Sequence, residues 1–372
     1  MHNSIIIITM ASKTFNVGIV GYGLSAKVFH IPFVASTPGL KLHAIVQRSP
    51  KANDSAPADH PDLKHYTSSD DLIADADVDV IIVTTPPDHH FDLTKKALEA
   101  GKHVLTEKPF VPTAAEAQKL ADIAKQSGKL ICVYQNRRWD ADFLLAKHLI
   151  QTGALGRVLE FNTHFDRYRA DAPANWKGQL GISKGGSALF DLGTHLIDQA
   201  YVLFGLPQSV HGRLLNQREG RPEFETPDAV VAQLTYPNGL LVNVNISALS
   251  AEVDQLRYWI RGTKGSFRKV HLDPQEDFLR AGGKPTDPGY GIESTDKSSL
   301  TAVDEATGKA SRVPVPELEP ETYRAFFAQF AKALQTGKAE DVPVKAEEAR
   351  DVLRIIEAVL ESAKTGKDVV LA

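Results

Sequence analysis

Apolar residues follow two different rhythms along the chain. Through about residue 135, short β-branched runs are spaced by segments of helical periodicity; beyond it, strand-like patterning dominates until two amphipathic stretches close the sequence. In the first region Val17, Ile19 and Val20 predict a strand, then a glycine turn and a helix to about Ser36, and Pro38-Gly39 punctuates the return to a strand over 41–46. The continuously apolar run VDVIIVTTP suits a parallel strand covered on both faces and stops at Pro86-Pro87. A helix through DHHFDLTKKALEAGKH ends at Gly101, KHVLTEKPF predicts a further strand, 113–127 a helix and 129–134 the last strand. Such alternation builds a doubly wound α/β domain with a parallel sheet, here over 15–135, preceded by a loose extension over 1–14.

After Asn136 the grammar changes. A helix is expected over 140–151, then strands over 158–168, 230–236, 240–249, 257–261 and 267–271, with Pro237-Asn238-Gly239 turning one hairpin and Lys264-Gly265 marking another turn. Residues 273–298, rich in Gly, Pro and Asp, should be irregular, and 305–309 should turn a late hairpin. Helices over 321–336 and 346–365 complete a second, α+β domain, 136–372, whose largely antiparallel sheet is covered on one face.

The first strand–helix junction carries a phosphate-binding pattern. In NVGIVGYGLSAKVFH, Gly21, Gly23 and Ala26 have the G-x-G-x-x-G/A spacing that opens a mononucleotide-binding βαβ unit. Small residues gather in turns for other reasons, so the surrounding strand and helix carry the inference. Gly21, Gly23, Leu24, Ser25 and Ala26 are the candidate contacts. A carboxylate at the end of the second strand would select the free 2′-hydroxyl of NAD. Arg48 and Ser49 stand there instead, with Lys51 near, and would offer a 2′-phosphate charge and hydrogen bonds, favouring NADP (NADPH) over NAD. The competing reading makes these solvated loop charges. Thr84, Thr85, Pro86 and His89 follow the third expected parallel strand and would lie near the pyrophosphate or nicotinamide ribose.

Glu107-Lys108-Pro109 lies just beyond a strand, on the carboxyl edge where such sheets bind ligands. A lysine there could hydrogen-bond a substrate hydroxyl and stabilise charge as its proton leaves. In the buried helix GGSALFDLGTHLIDQAYVLFG, Asp191 and His195 are i and i+4, so the carboxylate could orient the imidazole and raise its basicity; a satisfied core pair is the alternative, and Asp198 is open to either reading. Gly193 between them suggests a close approach by a ligand or a neighbouring segment. At the domain junction, Asn136, Arg137, Trp139 and Asp140 offer a hydroxyl-rich ligand donors, acceptors and a ring face, and Tyr168, flanked by Arg167 and Arg169, offers a similar set. An interdomain hydrogen-bond network would use the same residues. His89 and His90 diverge on a regular element and no ligand spacing accompanies them, so no metal is expected; no G-x-S-x-G elbow is present.

Composition narrows the partners. The chain has 372 residues, 42% of them hydrophobic, and a net charge of -4 with scattered cations, which argues against nucleic acid. Its one cysteine, Cys132, fits a reducing compartment and a buried, inert thiol. The isoleucine run before Met10, which could be an alternative start, has neither the leader nor the length of a secretory signal or a membrane span, so a cytoplasmic protein is expected.

In order and spacing, GYGLSA, VTTPPDHH, GKHVLTEKP and DLGTHLID together resemble the glucose-fructose oxidoreductase and inositol dehydrogenase family, over nearly the whole chain after residue 14. The resemblance implies a Rossmann domain, an open-faced second sheet that serves as the interface of a homodimer or homotetramer, catalysis by Lys108, Asp191 and His195, and a cis bond before Pro109. VYQNRRWDADF, RYR followed by Trp176, and QEDFLRAGGKP look like the branch that holds the NADP-dependent scyllo-inositol dehydrogenases. The implied activity is oxidation of a cyclic polyol or sugar at a secondary alcohol, with His195 as base, Asp191 orienting it and Lys108 on the same oxygen. An aldose, a sugar acid using the arginines, or a diol are alternative substrates. A non-catalytic cofactor-binding regulator, another outcome of this ancestry, would not need those three residues together.

Overall fold

A computed structural model describes residues 13–218 and 225–371; the isoleucine run and Met10 lie outside the described residues. Six strands, β1 (Phe15–Val20), β2 (Leu40–Val46), β3 (Lys64–Tyr66), β4 (Val80–Val83), β5 (His103–Thr106) and β6 (Ile131–Val133), pair in parallel in the order β3-β2-β1-β4-β5-β6. All four residues of β4 are buried, as its unbroken apolar run requires of a strand with helices on both faces. The helix Ala114–Ser127 shows how local chemistry sets the boundaries. Thr113 and Glu116 form a reciprocal capping box at its start, and Gly128 ends it at φ +65°. Strand order reverses between β1 and β4, so their carboxyl ends open onto a crevice.

The second sheet has nine strands: β7 (Val158–Asp166), β8 (Ser209–Leu215), β9 (Ala229–Thr235), β10 (Leu241–Ser247), β11 (Leu256–Gly262), β12 (Gly265–Val270), β13 (Ser298–Val303), β14 (Ala310–Val313) and β15 (Val369–Val370). Their order is β14-β13-β12-β11-β7-β10-β9-β8-β15, and only β7 and β10 run parallel. One face is covered. β10 buries Val242, Val244 and Ile246 and turns Asn243 and Asn245 outward, and Trp259, Val231 and Leu215 stand exposed on the opposite face. The helix Ala346–Thr365 packs close to β8, where a Cβ on Gly212 would come within 2.7 Å of the Val359 carbonyl oxygen. The same helix reaches the first domain: Ala114 N–H donates to Glu357 Oε1 at 2.9 Å, and, just ahead of the helix, the Val344 carbonyl accepts from Val133 N–H at 3.2 Å.

Some details depart from the sequence reading, two of them beside the domain junction. The segment 273–298 holds a short helix, Gln275–Arg280, and β7 stops at Asp166, with Arg167 to Arg169 continuing as extended chain. Among the described residues no helix is long and apolar enough to cross a membrane.

Candidate active site

A cleft of about 420 Å³ opens where the β1 and β4 ends face the second domain. Gly23, Leu24, Ser25, Thr84 and Thr85 line its first-domain wall. Gly21 turns the chain at φ +109°, where a Cβ would fall 2.6 Å from Thr84 Oγ1; a Cβ on Gly23 would project into open space, and Ala26 is fully buried. These three environments fit a dinucleotide pyrophosphate, which needs bare backbone at the second position and close helix–strand packing at the third. Glu107 closes this wall. His30 Nε2 donates to its Oε1 at 2.8 Å, Ser25 Oγ donates to the same oxygen, and Lys108 N–H donates to Oε2 at 3.0 Å. Burial opposes its charge, yet the His30 contact holds the carboxyl below its ordinary value. Pro86 and His89 fall outside the cleft lining: His89 is exposed, while His90 is buried between the carbonyls of Thr85 (2.8 Å) and Pro109 (2.9 Å). Arg48 and Ser49 are exposed at the carboxyl end of β2, also beyond the cleft lining.

Lys108 precedes a cis bond to Pro109. Its Nζ donates to the Asp191 carbonyl at 2.8 Å and to Asp191 Oδ1 at 3.0 Å, across the domain junction. Lys177 Nζ donates to Oδ1 at 3.0 Å and Oδ2 at 3.2 Å, so the carboxylate sits between two ammonium groups. Burial works against its charge, and Lys108 and Lys177 overcome it, holding the carboxyl far below its ordinary range. The expected Asp191–His195 hydrogen bond is absent among the described residues, because the two lysines take the carboxylate oxygens. The backbone contributes too: Leu189–Gly193 is a wide π-helical turn before the α-helix Thr194–Phe204, a local form that recurs at functional sites. His195 lines the cleft with its Nδ1 buried and unpartnered. Burial, then Lys108 and Arg137, push the imidazole pKa well below its usual value, so the ring is neutral at pH 7. Gly193 makes room for protein rather than ligand, since a Cβ there would meet Leu189 Cδ1 at 3.0 Å and Ile246 Cδ1 at 3.4 Å.

The five candidate substrate contacts divide. Asn136 and Arg137 line the cleft, whereas Trp139, Asp140 and Tyr168 do not. Trp139 is buried edge-on against Phe326, with ring centroids 5.3 Å apart. Asp140 is fully buried and accepts from Tyr323 Oη at 2.7 Å and from Arg137 Nη1 at 3.1 Å. Tyr168 points away because extended chain alternates its side chains, so its neighbours Arg167 and Arg169 face the cleft. Asp198 takes the structural alternative, receiving Arg138 Nε at 2.8 Å and Nη2 at 2.7 Å. Sequence reasoning missed Lys177 and Glu276 as cleft residues. Each sits on a short helix, Trp176–Gln179 and Gln275–Arg280, too brief to leave a periodic signal. Outside the cleft, His43, Asp75 and Asp77 have metal-like spacing, but Lys64 Nζ spans the two carboxylates at 3.2 and 2.8 Å and Tyr66 Oη donates to Asp75, which makes an ion-pair cluster.

Comparison with known proteins agrees with this architecture. Residues 15–135 match the model described as "Oxidoreductase family, NAD-binding Rossmann fold", and 147–371 match "Oxidoreductase family, C-terminal alpha/beta domain". The chain is 38% identical over 367 residues to the uncharacterized oxidoreductase C115.03 of Schizosaccharomyces pombe, covering 95% of this chain and 98% of that protein. It is 35% identical over 359 residues to the scyllo-inositol 2-dehydrogenase (NADP(+)) IolW of Bacillus subtilis, covering 96% of each. The solved putative oxidoreductase yvaA of Bacillus subtilis superposes with a TM-score of 0.88 at 34% identity, over 98% of this chain and all of that one. With both family models matched along one chain and a cleft where their domains meet, the protein belongs to the GFO/IDH/MocA oxidoreductase family.

Proposed function

We propose that this chain interconverts a secondary alcohol of a cyclic polyol or sugar, scyllo-inositol-like in character, and the corresponding ketone, using NADP(H). The reading is carried by the convergence of Lys108, Asp191 and His195 in the cleft that also holds the glycine turn. A bound nicotinamide supplies the hydride acceptor or donor. The remaining work is proton handling and positioning. In the oxidation direction the neutral His195 imidazole accepts the hydroxyl proton; in reduction the protonated ring returns it. Lys108 has three N–H donors, and Asp191 takes two of them, leaving one for the substrate oxygen as it gains negative charge. Asp191 is therefore hydrogen-bonded to Lys108 rather than to His195, on which it acts through its charge alone. The Gly21–Ala26 turn, Thr84, Thr85 and Glu107 would hold the dinucleotide, and Arg48 with Ser49 would meet its 2′-phosphate. The relationship to an NADP-linked scyllo-inositol dehydrogenase supports both the substrate class and the cofactor.

Lys108→Ala tests the reading. Removing a donor aimed at developing charge lowers kcat by about 10²–10³-fold while NADP still binds. Turnover within a few-fold of the parent in that variant would overturn the role given to Lys108, and a protein that binds NADP but turns over no polyol, sugar or sugar acid would support a regulator.

A further inference from the structure

The described carboxylates of the cleft are already matched, yet two of its cations are not. Asp191 is taken by Lys108 and Lys177. Glu276 is bonded by Arg137 and Arg280, and Asp228 by Arg218. Glu107 is held by His30. Arg167 and Arg169 line the same cleft and carry no side-chain hydrogen bond or ion pair among the described residues. Arg167 is half-buried and Arg169 exposed: the Arg167 Nε is buried without a partner, and its guanidinium lies 5.7 Å from the centroid of the Phe165 ring. Burial and then the neighbouring Arg169 oppose its charge more than Asp191 and Glu276 favour it, and an anion placed there would offset the balance. The backbone fixes the pair. Arg167 N–H donates to the Ser247 carbonyl at 3.0 Å and Arg169 N–H to that of Ala248 at 2.7 Å, which holds the segment extended with both side chains on the cleft side.

A buried, unpaired guanidine nitrogen is costly unless something completes it, and a planar fork beside a second arginine matches an oxyanion. We propose that Arg167 and Arg169 form a subsite for an anionic group, a carboxylate or a phosphate, on the substrate, away from the carbinol that meets Lys108 and His195. The substrate is then an acidic derivative of such a polyol or sugar, so the subsite narrows the scyllo-inositol-like reading to members that carry an anionic group. This inference rests on the proposed oxidoreductase reading and deepens it by naming the substrate class.

The test pairs neutral and charged ligands on the full-length NADP-loaded protein: D-glucose against D-glucuronate and D-glucose 6-phosphate, and inositols against inositol monophosphates. Both equilibrium binding and reduced-nicotinamide formation are measured. The expected result is that at least one charged member binds tenfold or more tightly than its neutral partner, with weakening as salt is raised. In Arg167→Gln that preference falls at least tenfold, chiefly in KM, and Arg167→Lys restores part of it, while the affinity for NADP stays within about twofold. The carboxylate and phosphate arms decide which oxyanion is taken. Neutral polyols bound and turned over as well as every charged analogue would overturn the inference and leave the oxidoreductase reading standing. Charged ligands that bind in an Arg167-dependent way without turnover of any compound would uphold the subsite and overturn the enzyme reading. Loss of NADP affinity in Arg167→Gln would assign the arginines to the cofactor and overturn the subsite.

Discussion

Asp191 sets the electrostatics of the cleft because its two oxygens meet ammonium groups from different segments, Lys108 beyond β5 and Lys177 on the helix Trp176–Gln179. Replacing Lys177 by Met leaves the carboxylate with Lys108 alone, and kcat/KM should fall roughly tenfold, as for loss of one charge-assisted contact. His195 makes a pH prediction. Because burial, Lys108 and Arg137 depress its pKa well below 6.5, the acid limb of kcat/KM for alcohol oxidation due to this ring should lie below that value. The sign for stability follows from proton binding. Below about pH 6.5 the unfolded chain takes up a proton that the folded chain refuses, so stability falls as pH drops through that window, and His195→Gln should flatten the dependence in denaturant titrations. Cys132 is a control: burial pushes its thiol up to about 12, and it should resist thiol reagents until the protein unfolds.

At the scale of elements, β8 against the helix Ala346–Thr365 is the tightest seam near the chain's end. Gly212→Ala would drive a Cβ against the Val359 carbonyl and should cost about 1–3 kcal/mol, read as a lower midpoint in chemical denaturation. The parallel sheet was legible because apolar β-branched residues recur beside Gly or Pro, most plainly in the unbroken run of β4, and Ala346–Thr365 was legible because twenty residues repeat one amphipathic stripe. β3 and β8 were not. The first is a three-residue edge strand, and in SVHGRLL the outward His211 and Arg213 flank the Gly212 that the close helix requires, which blunts the alternation. At the site, position and spacing singled out Lys108, Asp191 and His195, which the structure brings together in the cleft, but the hydrogen-bond partner of Asp191 is not the expected one. A helical i, i+4 pairing says which side chains share a face, whereas Lys108 and Lys177 approach from elements far away in sequence. Trp139 and Asp140 show the converse, since polar and aromatic residues beside a cleft also build its supporting core, while Tyr168 turns outward to solvent.

At the scale of the molecule, the cleft exists only because two sheets meet, and the C-terminal helix and the Lys108–Asp191 pair tie that junction together. The second sheet's open face carries exposed Trp259, Val231 and Leu215, and we expect it to join two or four copies. Trp259→Asp should then shift the sedimentation profile toward monomer with the far-ultraviolet spectrum unchanged, and an unaltered oligomer would remove that face from the interface. Hydride exchange between a polyol or sugar and NADP at this cleft is read from the initial rate of reduced-nicotinamide absorbance with purified protein, NADP or NAD, and a panel of inositols, aldoses and sugar acids. Substrate-dependent absorbance growth, faster with NADP than with NAD, is expected; no growth with any compound, in a protein shown to bind NADP, would contradict the proposed function.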